Sequence, residues 1–208
     1  MKNCLKLIKK IPQIRSIFYR LWNRLYFRAN GVKFGRRMKV FDAIYLLGQG
    51  SVTVGDDFIF TSGSSINPIC RNIRGVFYTM TPEARIEIGD RVGISSACLW
   101  AKERITIGND VNIGGDCIIM DNDAHPHNYK LRRREFTAEV GRDTYLRQVP
   151  TAPIVIGDDV WIGARCLILK GVTIGDRSII AAGSIVTKNV AADEIWGGNP
   201  ARFIKKVD

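Results

Sequence analysis

A six-residue periodicity constrains this chain of 208 residues more than any other feature. Counted in sixes, Ile156, Ile162, Ile168, Ile174, Ile180 and Val186 form one aliphatic column. Two residues before each lie Ile154, Val160, Cys166, Val172, Ser178 and Ser184, all small or β-branched. The period continues in Ile107, Ile113 and Ile119, in Ile88, Ile94 and Trp100, and in Val54, Phe60 and Ile66, making fifteen units. A unit this short cannot bury its apolar face alone, so successive units must stack on one another. An amphipathic helix would require a period of 3.6, which these stretches lack.

A second signal sets the shape. An aliphatic residue, Gly, then Asp or Asn recurs at Gly55-Asp56, Gly89-Asp90, Gly108-Asn109, Gly157-Asp158 and Gly175-Asp176. These residue types tolerate left-handed backbone angles and mark corners. Fifteen units over five corners give three units per corner. The expected fold is mainly β: a triangular parallel solenoid of about five coils, each rising ~4.8 Å. The same count places Cys98, Cys117 and Cys166 on one face, with Ser64 and Ser184 in the outer coils; small residues there suit a tight corner.

The net charge of +11 is local. Residues 1–39 carry twelve Lys and Arg and no acid, while residues 40–208 carry nineteen bases against twenty acids, a net of −1. Global basicity would suggest nucleic acid; confined to the N-terminus, it argues for no nucleic-acid partner. From Ile14 onward, Ile17, Phe18, Leu21, Trp22, Leu25 and Tyr26 recur at helical spacing, with Arg20, Arg24 and Arg28 stepping by four. A basic amphipathic helix of this kind suits either peripheral membrane contact through residues 1–28 or packing on the solenoid end. Lysines break up "CLKLIKKI", so no signal-peptide core forms. Five scattered cysteines without a C-x-x-C pair point to a reducing compartment. The expected location is cytoplasmic, with the inner face of the membrane as the surface the helix would meet.

The expected organisation is a basic helical segment over 1–40, the repeat domain over 41–196 and a C-terminal tail or short helix over 197–208. Two excursions leave the coils, at about 67–85 and 121–153, and long loops on a rigid scaffold often carry function. The second holds both histidines of the chain, His125 and His127, in "MDNDAHPH". Imidazole can take and return a proton near neutral pH, and Asp121 or Asp123 could orient it. His-x-His with carboxylates falls short of a metal ligand set, so no metal is expected. The basic run Lys130, Arg132, Arg133 and Arg134 is either an anion-attracting patch or a solvated loop face.

The hexapeptide motif over residues 50–204 resembles the left-handed β-helix acyltransferases, in particular the galactoside and maltose O-acetyltransferase branch. His125-Pro126 looks like that family's general-base motif, which implies His125 as base with Asp123 or Asp121 holding its ring. "VWIGARC", "AAGSIVTK" and "WGGNPARFIK" match the family's acetyl-coenzyme A side. The resemblance implies Ala164 and Ala182 against the pantetheine arm, Thr187 and Lys188 at the nucleotide end, and Arg202 and Lys205 near its phosphates. It further implies acetyl-CoA as co-substrate, a sugar or saccharide-precursor hydroxyl as acceptor, and a homotrimer. N-acetylation of an amino sugar and a non-catalytic β-helix scaffold or binding module are the alternatives.

Overall fold

The computed structural model describes residues 17–63, 67, 69–70, 74–133 and 141–208, the side chains of Arg142 and Asp143 excepted. Residues 17–29 form helix α1. The chain then winds through three-sided coils. Coil 1 comprises β1 (Lys33–Phe34), β2 (Lys39–Phe41) and β3 (Ile44–Gly48); coil 2 comprises β4 (Ser51–Val54), β5 (Ile59–Thr61) and β6 (Gly75–Thr79). Coil 3 is β7 (Arg85–Ile88), β8 (Gly93–Ser95) and β9 (Cys98–Ala101), and coil 4 is β10 (Arg104–Ile107), β11 (Asn112–Ile113) and β12 (Ile118–Met120). Between coils 4 and 5 lie the short helices α2 (Tyr129–Arg133) and α3 (Arg142–Arg147). Coil 5 is β13 (Ile154–Ile156), β14 (Trp161–Ile162) and β15 (Leu167–Ile168); coil 6 is β16 (Thr173–Ile174), β17 (Ile179–Ile180) and β18 (Ile185–Val186). β19 (Glu194–Gly198) and β20 (Ala201–Lys206) close the chain.

The first strands of all coils stack as sheet A, the second as sheet B and the third as sheet C, in parallel register; only β19 and β20 pair antiparallel, at the edge of sheet B. Both columns read from the repeat point inward. Ile154, Ile156, Val160, Ile162, Cys166, Ile168, Val172, Ile174, Ser178, Ile180, Ser184 and Val186 are all buried.

Among the described residues there are six coils where about five were expected, and the corner between sheets A and B explains the difference. Each signature Asp or Asn accepts a backbone N–H from the coil before it: Asp56 from Arg36 at 2.7 Å, Asp90 from Asp56 at 2.7 Å, Asn109 from Asp90 at 2.9 Å, Asp158 from Asn109 at 2.6 Å, and Asp176 from Asp158 at 2.9 Å. The signature therefore appears only where a coil lies beneath. Coil 1 has none beneath it and carries Phe34-Gly35-Arg36 instead, so the repeat domain starts at Lys33 rather than after residue 40.

Coil 3 departs from the expected register. Five residues separate Ile94 from the inward Leu99, against six from Ile113 to Ile119, which pairs with Leu99. The shorter corner turns Trp100 outward, where it packs on Tyr78 with ring centroids 5.5 Å apart. It also turns Cys98 outward opposite Ile118, so the buried column reads Ala97, Cys117, Cys166 and Ser184. The first excursion is shorter than 67–85, because β6 forms the third side of coil 2; Ser64 and Ile66 lie outside the described residues. The C-terminal tail is no helix: alternating Ala201, Phe203 and Lys205 extend along β19 as strand β20.

Helix α1 covers the open end of coil 1. Lys39 N and Ser62 N place the Lys39 N–H and Phe41 carbonyl toward coil 2, so the Val40 carbonyl points the other way. Asn23 Nδ2 donates to it at 3.1 Å and to the Asp42 carbonyl at 2.9 Å. Phe27 enters the core, and the Leu46 N–H donates to Tyr26 Oη at 3.2 Å. An edge that could pair with another chain is thereby blocked.

Candidate active site

The second excursion leaves and re-enters the prism at one point, the corner between sheets C and A. Asp121 N through Asp123 run beside Pro150–Ala152: Asp123 N donates to the Pro150 carbonyl at 3.1 Å, and the Asp121 carbonyl accepts Ala152 N at 2.9 Å and Thr151 Oγ1 at 2.8 Å. The buried Asp121 carboxylate accepts the N–H groups of Lys102, Glu103 and Arg104, from the corner that joins coil 3 to coil 4, at 2.7, 2.8 and 2.7 Å. Asp121 is thus a corner cap and does not hold an imidazole.

His125 follows Ala124, whose φ of +60° turns the chain outward. Its ring partner is Tyr145 from α3: Nδ1 and Oη are 2.8 Å apart, and the rings meet edge to face at 6.5 Å. Tyr145 is buried and was missed in the sequence, where a lone Tyr in a loop carries no periodic signal. The Asp123 carbonyl accepts the His125 N–H at 2.6 Å, while its carboxylate is engaged elsewhere. That carboxylate takes His127 Nε2 at 2.7 Å and Lys170 Nζ, from coil 5, at 2.6 Å. Burial acts to raise the Asp123 carboxyl, but the hydrogen bonds from Lys170 and His127 outweigh it and hold it below the ordinary carboxylate range. Arg132 of α2 donates to the Pro126 and His127 carbonyls at 2.7 and 2.6 Å, fixing the loop from its other side. One member of the basic run is therefore structural; Arg133 covers the Tyr129 ring, and Arg134 lies outside the described residues.

The residues expected to meet acetyl-CoA do not gather at His125. Ala164 and Ala182 stand at the corner between sheets B and C, in coils 5 and 6; Ala182 is exposed and Ala164 partly so. Exposed Thr187 and Lys188 follow β18, at the same corner as His125. Arg202 and Lys205 are exposed on β20, at the edge of sheet B, where Lys205 Nζ meets Asp208 at 3.1 Å. The width of sheet C separates the two corners of a single chain. Its outer face carries exposed Tyr45, Leu47 and Ile118, with Tyr78, Trp100 and Met120 beside them. The small side chains at Ala164 and Ala182 leave room for an extended arm, and Lys188, Arg202 and Lys205 are suited to phosphates. Among the described residues no cluster of His, Cys, Asp and Glu could hold a metal ion.

Stacked six-residue units around a buried aliphatic column define a hexapeptide-repeat protein, and the comparisons agree. Residues 153–188 match the family model described as the hexapeptide repeat of succinyl-transferase. The galactoside O-acetyltransferase of Escherichia coli K12 is 36% identical over 116 residues, which cover 52% of this chain and 51% of the relative. A chloramphenicol acetyltransferase of Agrobacterium fabrum is 36% identical over 114 residues, 50% of this chain and 52% of the relative. The chain spans about half the length of these curated relatives. A solved hexapeptide-repeat acetyltransferase from Vibrio cholerae, complexed with acetyl coenzyme A, aligns over 98% of this chain and 84% of its own, with a TM-score of 0.56 and 25% identity. The repeat region is similar to that of the hexapeptide-repeat acetyltransferases, and the solenoid has the fold of their left-handed parallel β-helix.

Proposed function

We propose that this protein transfers an acetyl group from acetyl-CoA to a hydroxyl of a sugar or saccharide precursor, with His125 as general base. The observation that carries the reading is the His125–Tyr145 contact, a histidine on a rigid corner with its ring oriented by a buried partner. If Nδ1–H donates to Tyr145 Oη, the basic lone pair sits on Nε2. Nε2 takes the acceptor proton as its oxygen attacks the thioester carbonyl. The tetrahedral intermediate collapses, the C–S bond breaks, and the imidazolium returns the proton to the departing thiolate. Asp123 serves this step indirectly by tying His127 and Lys170 together beneath the loop.

Division of the site between two corners supports a homotrimer. A second copy against the apolar outer face of sheet C could bring its Ala164 and Ala182 corner toward the first copy's His125. The saccharide acceptor is supported by the printed activity of the galactoside relative. The test is free-thiol release from acetyl-CoA across a panel of galactosides, nucleotide sugars and amino sugars. Release with a hydroxyl acceptor that falls ~10²–10⁴-fold in His125→Ala is the expected result. Release unaffected by the substitution overturns the assignment, and transfer confined to amines overturns the O-acetyl reading.

A further inference from the structure

Helix α1 is fixed with its apolar stripe facing outward. Asn23 and Phe27 hold it to coil 1. On its other side Ile17, Phe18, Leu21, Trp22 and Leu25 fall at i, i+1, i+4, i+5 and i+8, and each is between 53% and 63% exposed. Phe18 and Trp22 stack at 6.2 Å with their planes 13° apart. Five large apolar side chains on one face of a short helix form a patch larger than scattered surface residues make.

The charge beside the stripe says what covers it. Arg20, Arg24 and Arg28 run alongside it, the last two also reaching over the Phe34 ring at 6.0 and 5.6 Å. No acid occurs before Asp42. Of the neighbouring bases on coil 1, Arg36 and Arg37 are paired with Asp56 and Asp57 of coil 2, which leaves Lys33 and Lys39 to add to the helix's own charge. A second copy on this face would set two basic rows against each other. An anionic surface with an apolar layer behind it answers both halves of the face.

We infer that α1 docks this protein onto an anionic lipid bilayer, lying in the interface with its stripe at the boundary between headgroups and acyl chains. The inference is independent of the acetyl-transfer reading. No helix among the described residues is long and apolar enough to span a membrane, so the contact is peripheral. Coil 4, which carries His125, stands three coils above coil 1, about 14 Å at the usual strand spacing. His125 thus stands clear of the surface on which α1 lies.

The test is co-sedimentation of the full chain with vesicles of phosphatidylcholine alone or mixed equally with phosphatidylglycerol. Binding is expected to be stronger on the mixed vesicles by about fivefold for each arginine engaged, and to weaken with salt. The double variant Leu21→Ser, Trp22→Ser should lose tenfold or more of that affinity while keeping the parent's melting temperature and subunit number. Emission of the parent should shift to the blue on binding, and Trp22→Phe should bind but lose that shift. Folded parent protein that ignores the mixed vesicles overturns the inference. So does undiminished binding by the double variant, which would leave the stripe idle, or a change in its subunit number, which would make the stripe a contact between copies.

Discussion

Replacing Tyr145 with Phe removes one oxygen and keeps the ring. Tyr145 is buried, its ring meets that of His125 edge to face, and Oη lies 2.8 Å from Nδ1. The packing that docks α3 on the loop therefore survives, and only the polar contact is lost. A neutral hydrogen bond contributes about 0.5–1.5 kcal/mol net, which corresponds to roughly a 2- to 13-fold change in rate if it is fully expressed in the transition state. On the proposed assignment of His125 as base, His125→Ala should cost ~10²–10⁴-fold. Tyr145→Phe should thus lower kcat by a factor within the smaller range and leave KM for acetyl-CoA unchanged. The assay is steady-state thiol release at saturating acceptor, with both substrates varied. Where Nδ1–H donates to Tyr145 Oη, the loss in Tyr145→Phe should fall on kcat because the ring is no longer oriented. An unchanged kcat, or a change confined to KM, would refute the positioning role.

Two further predictions concern stability. The Asp123 carboxyl is held below its unfolded value of about 3.9 by Lys170 and His127, so its contribution is fully present above that pH and fades as pH falls through the folded value. The difference in melting temperature between the parent and Asp123→Asn should therefore reflect about 1 kcal/mol near neutrality and close below pH ~4. Gly48, at φ +95°, would place a Cβ 1.7 Å from the Thr79 carbonyl oxygen, whereas Gly31, at φ +70°, has nothing within 4 Å. Denaturant unfolding should show Gly48→Ala losing at least about 3 kcal/mol and Gly31→Ala only about 1 kcal/mol.

The repeat was legible because burial repeats. Every coil must offer an aliphatic pair to the same core, and the inward columns of coils 5 and 6 follow the count without exception. What escaped has the opposite character. Coil 1 was overlooked because its Arg36 is the donor at the end of a ladder whose other rungs are acceptors as well. Trp100 was misassigned because a corner shortened by one residue, with Ser96 at φ +41°, shifts the register without altering composition. The C-terminal strand was missed because its partner is the chain's own preceding segment, which no six-residue pattern encodes. At the candidate site, His125 was visible as one of only two histidines, while the carboxylates expected to orient it, Asp123 or Asp121, bond to Lys170 and His127 and to the corner N–H groups. Proximity in sequence favoured those carboxylates, while the fold brings Tyr145 from twenty residues away.

The Asp121 corner shows why an insertion of this size can sit in the middle of a regular prism. A loop costs little extra entropy as it lengthens, provided its ends are held. Here they are held by residues that also continue the stack. The Asp121 side chain satisfies three N–H groups of the corner between coils 3 and 4, and its carbonyl receives the returning Thr151 and Ala152. β13 then pairs with β10 as if no residues intervened. The excursion is consequently free to vary in length and composition without disturbing the core, yet its first residues inherit the rigidity of the corner. His125 lies four residues beyond that anchor and is tied again by Tyr145 from the far end of the loop. The proposed role of His125 as general base requires this combination, a fixed position with access to solvent, and a strand interior or a loop tip would each supply only half of it.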